Sequence, residues 1–176
     1  QLARRQQGYG RGDRMKIETD RALVLSGLRF GETLGSPITL QVVNRDFANW
    51  TERMDAFGAP AGPKVTAVRP GHADLSGVLK YDRQDARDIL ERSSARETTM
   101  RVAVGAVCRQ LLTALGVTVA SHVTEIGGVT VDRAAIRAEN IGVTNSDELN
   151  CCDPAAEERM KGRIDEAKAA GDTLGG

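Results

Sequence analysis

Residues 153–171 are written as one helix with both ends marked. Asp153 can accept hydrogen bonds from the unpaired N–H groups of a first turn, Pro154 suits the first helical position, and Gly171 suits the stop. A second helix is marked in a similar way. Ser94 and Glu97 form an S-x-x-E capping box, Met100, Val104, Val107, Leu111 and Leu115 follow at three- and four-residue spacing, and Gly116 closes the run. A shorter polar helix is expected from about Arg83 to Glu91. The remaining regular sequence reads as strand. Within 16–44, Leu23, Val24 and Leu25 form one apolar run, while Ile38, Leu40 and Val42 alternate with Thr39 and Gln41. Gly31, Gly35, Ser36 and Pro37 lie between the two runs, so an antiparallel pair is expected. Val117 to Ile126 alternates as a further strand before Gly127-Gly128. Residues 45–68 have weak periodicity and carry Gly58, Pro60, Gly62 and Pro63, which predicts a long loop.

At 176 residues the chain can bury one sizeable core, and a single partial domain over 1–176 is expected. There is no run of 18 apolar residues. Three cysteines make an odd count without metal-ligand spacing, and only two histidines accompany them, so neither a disulfide scaffold nor a zinc site is expected. Chain ends are usually polar and loosely ordered. Gln1 instead enters a charged motif at once, and Asp172-Thr173-Leu174-Gly175-Gly176 breaks off after a turn, which reads as interior sequence of a longer protein.

The charge pattern carries the chemistry. Twenty-four Lys and Arg balance 24 Asp and Glu, which argues against a protein devoted to nucleic acid or an anionic membrane. Aromatic residues make up 3%, so stacking platforms for bases are scarce. Five of the 24 cations are Lys, which leaves nineteen Arg. Arg presents a planar fork suited to carboxylate and phosphate, although a GC-rich genome would also raise the Arg count. The arginines gather in three segments. Arg4, Arg5, Arg11 and Arg14 alternate with Gly8, Gly10 and Gly12; Arg69 stands three residues before His72; Arg92 and Arg96 flank Ser93 and Ser94 at a helix start. Free N–H groups and positive partial charge at such a start suit an anion. The plainer alternatives are a solvated basic loop in the first segment and a capped surface helix in the third, and spacing alone does not show that the three converge. His72, in the turn Arg69-Pro70-Gly71-His72, can move a proton near neutral pH. Its alternative is a hydrogen-bonded loop residue. His122 reads as structural. There is no P-loop and no G-x-G-x-x-G.

Four blocks, R-R-Q-Q-G-Y-G-R-G-D-R-M (4–15), S-G-L-R-F-G-E-T-L-G-S-P-I (26–38), R-P-G-H-A-D (69–74) and R-S-S-A-R-E-T (92–98), resemble the chorismate synthase family in order and separation. The similarity runs over nearly the whole chain. The family also has an upstream G-E-S-H-G block and a long C-terminal half that do not occur here, which agrees with an internal fragment. The resemblance implies an α+β fold, a β-α-β sandwich of antiparallel sheets and helices, in a cytoplasmic homotetramer. It implies a lyase of the shikimate pathway, toward aromatic amino acids, that turns 5-enolpyruvylshikimate 3-phosphate into chorismate and phosphate by 1,4-anti elimination. Reduced FMN is required without net redox change.

Residue by residue, the resemblance places His72 beside the flavin as an acid or hydrogen-bond donor. It places Arg92, Ser93 and Ser94 on FMN. Arg5, Arg11, Arg14, Arg69 and Arg96 would hold substrate anions, with Arg5 and Arg11 given to NADPH in members that reduce their own flavin. No nucleic acid or membrane partner is implied. The fragment alone is expected to bind FMN poorly and to be inactive. The competing reading is a non-catalytic module for phosphate, a nucleotide or RNA, which would use the arginines without His72.

Overall fold

The structure, a computed structural model, describes residues 1–10, 19–93, 95–141 and 148–176, with the backbone alone at 91, 95, 96 and 135. Arg11, Arg14, Ser94 and the side chain of Arg96 therefore lie outside the described residues. The elements, in order, are α1 (Leu2–Gln6), β1 (Ala22–Ser26), β2 (Leu28–Arg29), β3 (Glu32–Thr33), β4 (Thr39–Val42), α2 (Asp74–Tyr81), α3 (Arg87–Ser93), α4 (Ala95–Ala114), β5 (Glu125–Ile126), β6 (Val129–Thr130), α5 (Ala138–Ile141) and α6 (Pro154–Ala170), with 3-10 turns at Arg45–Asn49 and Arg133–Ala135. Helices and small antiparallel sheets make an α+β architecture. The residues cluster into two compact units, one of Gln1, Ala3–Thr19 and Cys108–Gly176, the other of Leu2 and Asp20–Val107.

In the unit of Asp20–Val107, the expected antiparallel pair forms between β1 and β4, with Val24 opposite Leu40 and a bulge between Val24 and Ser26. The alternation in β4 appears as alternating exposure, whereas Leu23, Val24 and Leu25 of β1 remain about half exposed. Residues 45–68 are mostly irregular, as expected, but they are pinned. The Trp50 indole N–H donates to Asp46 at 2.8 Å, and the Arg87 guanidinium stacks 4.5 Å from the centre of the Trp50 ring. Val65 N–H donates to Asp85 Oδ1, and Ala86 N–H donates to Val65 O.

The helices after this segment differ from expectation. Residues 74–81 form α2, which the sequence did not announce, and the short polar helix falls at Arg87–Ser93 rather than from Arg83 to Glu91. Gly77 disguises α2, because glycine disfavours a helix interior. Packing reverses the preference. A Cβ at Gly77 would stand 2.5 Å from Ile89 Cγ2, so the missing side chain lets α2 and α3 approach. Helix α3 ends at Ser93 and α4 begins at Ala95. The chain is thus helical immediately before Ser94, where a turn into the helix was expected, and Ser94 as N-cap cannot be placed. Glu97 accepts from Arg101 Nε at 2.7 Å. The apolar stripe of α4 is not its buried face. Val104 stays about half exposed and Leu111 and Leu115 more so, while Thr99 and Ala103 are buried. Thr99 Oγ1 donates to buried Asp20 at 3.4 Å.

The unit containing Cys108–Gly176 is built on α6. Its ends follow the sequence closely: Asp153 accepts from the N–H groups of Ala155 and Ala156, and Gly171 ends the helix in the left-handed region. Ala156 and Met160 pack with Val131, Leu149 and Cys151. The expected strand 117–126 shrinks to β5, hairpinned to β6 around Gly127 (φ 58°) and Gly128 (φ 80°), as a primed turn requires. Alternation alone does not make a strand without a neighbour to complete the ladder. Lys161 bridges Glu148, Glu158 and Glu157, and these carboxylates, Glu148 first, hold its ammonium above the usual lysine range. Tyr9 O–H donates to Asp165 at 2.7 Å, which ties the glycine-rich segment to α6.

Candidate functional site

The site grows from the turn before α2. His72 N–H closes a turn on Arg69 O, with Pro70 and Gly71 (φ +67°) at its centre, the preferences of a type II turn. This turn delivers Arg69 and His72 to one carboxylate, that of Asp74 at the first position of α2. The Asp74 side chain is fully buried. Its Oδ2 accepts from Arg69 N–H at 3.0 Å and Arg69 Nε at 2.9 Å. Its Oδ1 accepts from Arg69 Nη2 at 3.0 Å and lies 2.6 Å from His72 Nδ1. Charge-assisted forks of this kind are the strong class of hydrogen bond. The Arg69 guanidinium above all, with its backbone N–H and the His72 ring, holds the Asp74 carboxyl well below the usual carboxylate range despite burial. In return, Asp74 pushes the Arg69 guanidinium above its ordinary value. The Arg69 side chain is still about half exposed.

Next to the turn, α2 and α3 enclose a cleft of about 250 Å³ lined by Ala73, Ser76, Gly77, Lys80, Tyr81, Ile89, Arg92 and Ser93. Lys80, Arg92, Ser76, Ser93 and Tyr81 supply its polar lining, and Ala73, Gly77 and Ile89 its apolar part. The Arg92 guanidinium lies 4.6 Å from the centre of the Tyr81 ring, which orients its plane. Gly77 lets Ile89, which also lines the cleft, come close.

The structure joins His72 and Arg69 at Asp74, and places Arg92 and Ser93 in the cleft whose lining begins at the next residue, Ala73; all four lie within the unit of Asp20–Val107. Arg5 lies on α1, assigned to the other unit. Three lining or supporting residues escaped the sequence reading. Asp74 stood in the quoted R-P-G-H-A-D block, and its i+2 and i+5 spacing to His72 and Arg69 was the available signal. Ser76 and Lys80 lie four residues apart on α2, a spacing readable only once α2 is known to be a helix.

An α+β chain with a histidine–carboxylate pair at the residues leading into a cleft lined by one arginine and one lysine has the donors that a small anionic ligand would call for. Comparison with known proteins gives the family. The model of the chorismate synthase family matches residues 1–176. Chorismate synthase of Trichlorobacter lovleyi is 58% identical over 179 residues, covering 100% of this chain and 46% of that protein. Chorismate synthase 1 of Bacillus thuringiensis is 53% identical over 184 residues, covering 100% of this chain and 47% of that protein. A solved structure described as "Crystal Structure of Chorismate Synthase" superposes with a TM-score of 0.70 at 40% identity, over 99% of this chain and 45% of that one. The chain belongs to the chorismate synthase family, and it spans about half the length of the curated relatives it matches.

Proposed function

We propose that this chain carries part of a lyase that converts 5-enolpyruvylshikimate 3-phosphate to chorismate and phosphate by 1,4-anti elimination with reduced FMN, in the shikimate pathway toward aromatic amino acids. Membership of the family supports the reaction. The single structural observation that carries it is the joining of His72 to a buried carboxylate beside a cleft lined by Arg92 and Ser93. A non-catalytic anion-binding module would account for the cations but leave that pair without a task.

The donors Lys80, Arg92, Ser76 and Ser93 fit the phosphate end of a flavin nucleotide by charge and by hydroxyl count. A cleft of about 250 Å³ is smaller than pockets that enclose a whole ligand, roughly 300–1,000 Å³, so it suits part of the cofactor. When bound, reduced FMN supplies the electron density that departure of phosphate calls for and recovers it afterwards. His72 holds or moves a proton at its ring beside that site. Arg92 and Lys80 neutralise an anion, and Tyr81 keeps the Arg92 fork in one plane. Arg5, Arg11, Arg14, Arg69 and Arg96 are assigned to substrate anions, with NADPH a further ligand of Arg5 and Arg11 if the protein reduces its own flavin. Among the described residues no helix is long and apolar enough to cross a membrane. The cytoplasm and a homotetramer are read from the family alone.

His72→Ala in the full-length enzyme tests the reading. With reduced FMN under anaerobic conditions, turnover to chorismate and phosphate should fall by ~10²–10⁴-fold, the span of lost acid–base help, with KM little changed. Unchanged turnover would remove His72 from the mechanism.

A further inference from the structure

We propose that Asp74 is a positioning residue that fixes the tautomer of His72, holding the proton on Nδ1 and leaving Nε2 as the working nitrogen. The inference rests on the role of His72 proposed above and adds a residue to which no task has been given.

The geometry leaves little choice. Asp74 is an ionised carboxylate that can only accept hydrogen bonds, and its Oδ1 lies 2.6 Å from His72 Nδ1. The nitrogen facing it must therefore carry the proton. Arg69 Nη2, 3.1 Å from the same nitrogen, is a donor as well, so the two groups share Oδ1 and do not bond each other. In the neutral ring the lone pair then sits on Nε2. Asp74 cannot swing away, because Oδ2 accepts Arg69 N–H and Nε while Oδ1 accepts Nη2. Arg69 thus acts as a clamp on the carboxylate. The arrangement parallels the carboxylate of a Ser–His–Asp triad, which orients its imidazole without itself taking the proton.

Asp74→Asn separates this role from mere packing. The amide is close in shape, and its oxygen would stay with the Arg69 donors at the Oδ2 position. Its NH₂ group would then face His72 Nδ1, force that nitrogen to accept, and move the ring proton to Nε2. We expect kcat to fall by ~10²-fold or more, within the span of acid–base help, with KM and FMN affinity nearly unchanged. A variant with normal kcat would overturn the inference, and so would one in which a raised KM and a lowered melting temperature accompany the fall in kcat.

A second measurement does not depend on any Asp74 variant. ¹⁵N-histidine NMR of the wild-type full-length protein, with His72 assigned by its loss in His72→Gln, should show the neutral ring protonated at Nδ1. Free histidine in water prefers the other tautomer, so an Nε2–H signal would refute the proposal. If His72→Ala slows turnover but Asp74→Asn does not, Asp74 fails and the function stands. If His72→Ala is silent, the functional reading itself fails.

Discussion

Gly77→Ala tests the contact that shapes the cleft. The added Cβ would stand 2.5 Å from Ile89 Cγ2 and 3.1 Å from Cγ1 and Cδ1. Carbon atoms prefer about 3.5–4.0 Å, so the nearest contact is short by about 1 Å. Ile89 is 3% exposed, and relief would require its β-branched side chain to shift toward the cleft it lines. Overpacking of this kind is unfavourable by about 1–3 kcal/mol. Alanine gains up to about 1 kcal/mol over glycine as a helix former. Packing outweighs propensity over most of that range, leaving up to about 2 kcal/mol of destabilisation, or up to about 8 °C in Tm for a chain of this size. Gly105 in α4 supplies the control, because a Cβ there meets nothing within 4 Å. Gly105→Ala should raise Tm by its propensity gain alone, and thermal unfolding followed by circular dichroism reads both. The double variant Gly77→Ala/Ile89→Ala removes the clash and should lose less than the two single losses added. If Gly77→Ala raises Tm as Gly105→Ala does, α2 and α3 are not packed as described and the cleft between them is not set by this contact.

Two other outcomes are open to measurement. Arg92→Lys keeps the charge but loses the fork and the planar stack on Tyr81, so FMN affinity of the full-length protein should weaken by about fivefold, equivalent to ~1 kcal/mol; fluorescence titration with equal affinities would place the flavin phosphate elsewhere. Asp74 is held below its ordinary value of 3.8, chiefly by the Arg69 side chain, so its contribution to stability is complete above pH about 4 and fades as acid takes the carboxylate through its lower folded value. Denaturant unfolding across pH 2–5 should show Asp74→Asn with a flatter acid limb than wild type, and superimposable slopes would show that Asp74 is not the group responsible.

What was legible from sequence was whatever local chemistry decides. The ends of α6 could be read because Asp153 caps with its own side chain and Gly171 tolerates the left-handed stop. The β1–β4 pair could be read because alternation and turn residues both pointed to it. The four blocks identified the family, because they are contiguous in the chain. Tertiary structure decided what depends on partners distant in sequence or on a helix not yet known. Alternation over 117–124 meets no neighbouring strand among the described residues, so it has no ladder there. The apolar stripe on α4 lost to the face of Thr99 and Ala103, where the Thr99 hydroxyl donates to buried Asp20. Helix α2 was hidden by Gly77, whose unfavourable propensity is outweighed only where Ile89 fills the space. The sequence placed Arg69, His72 and Asp74 within six residues, but only the folded turn shows that the Arg69 guanidinium and the His72 ring close on one buried carboxylate. Local signals act through the backbone of a few neighbours, whereas burial and proton placement depend on which groups the whole fold brings within hydrogen-bond reach.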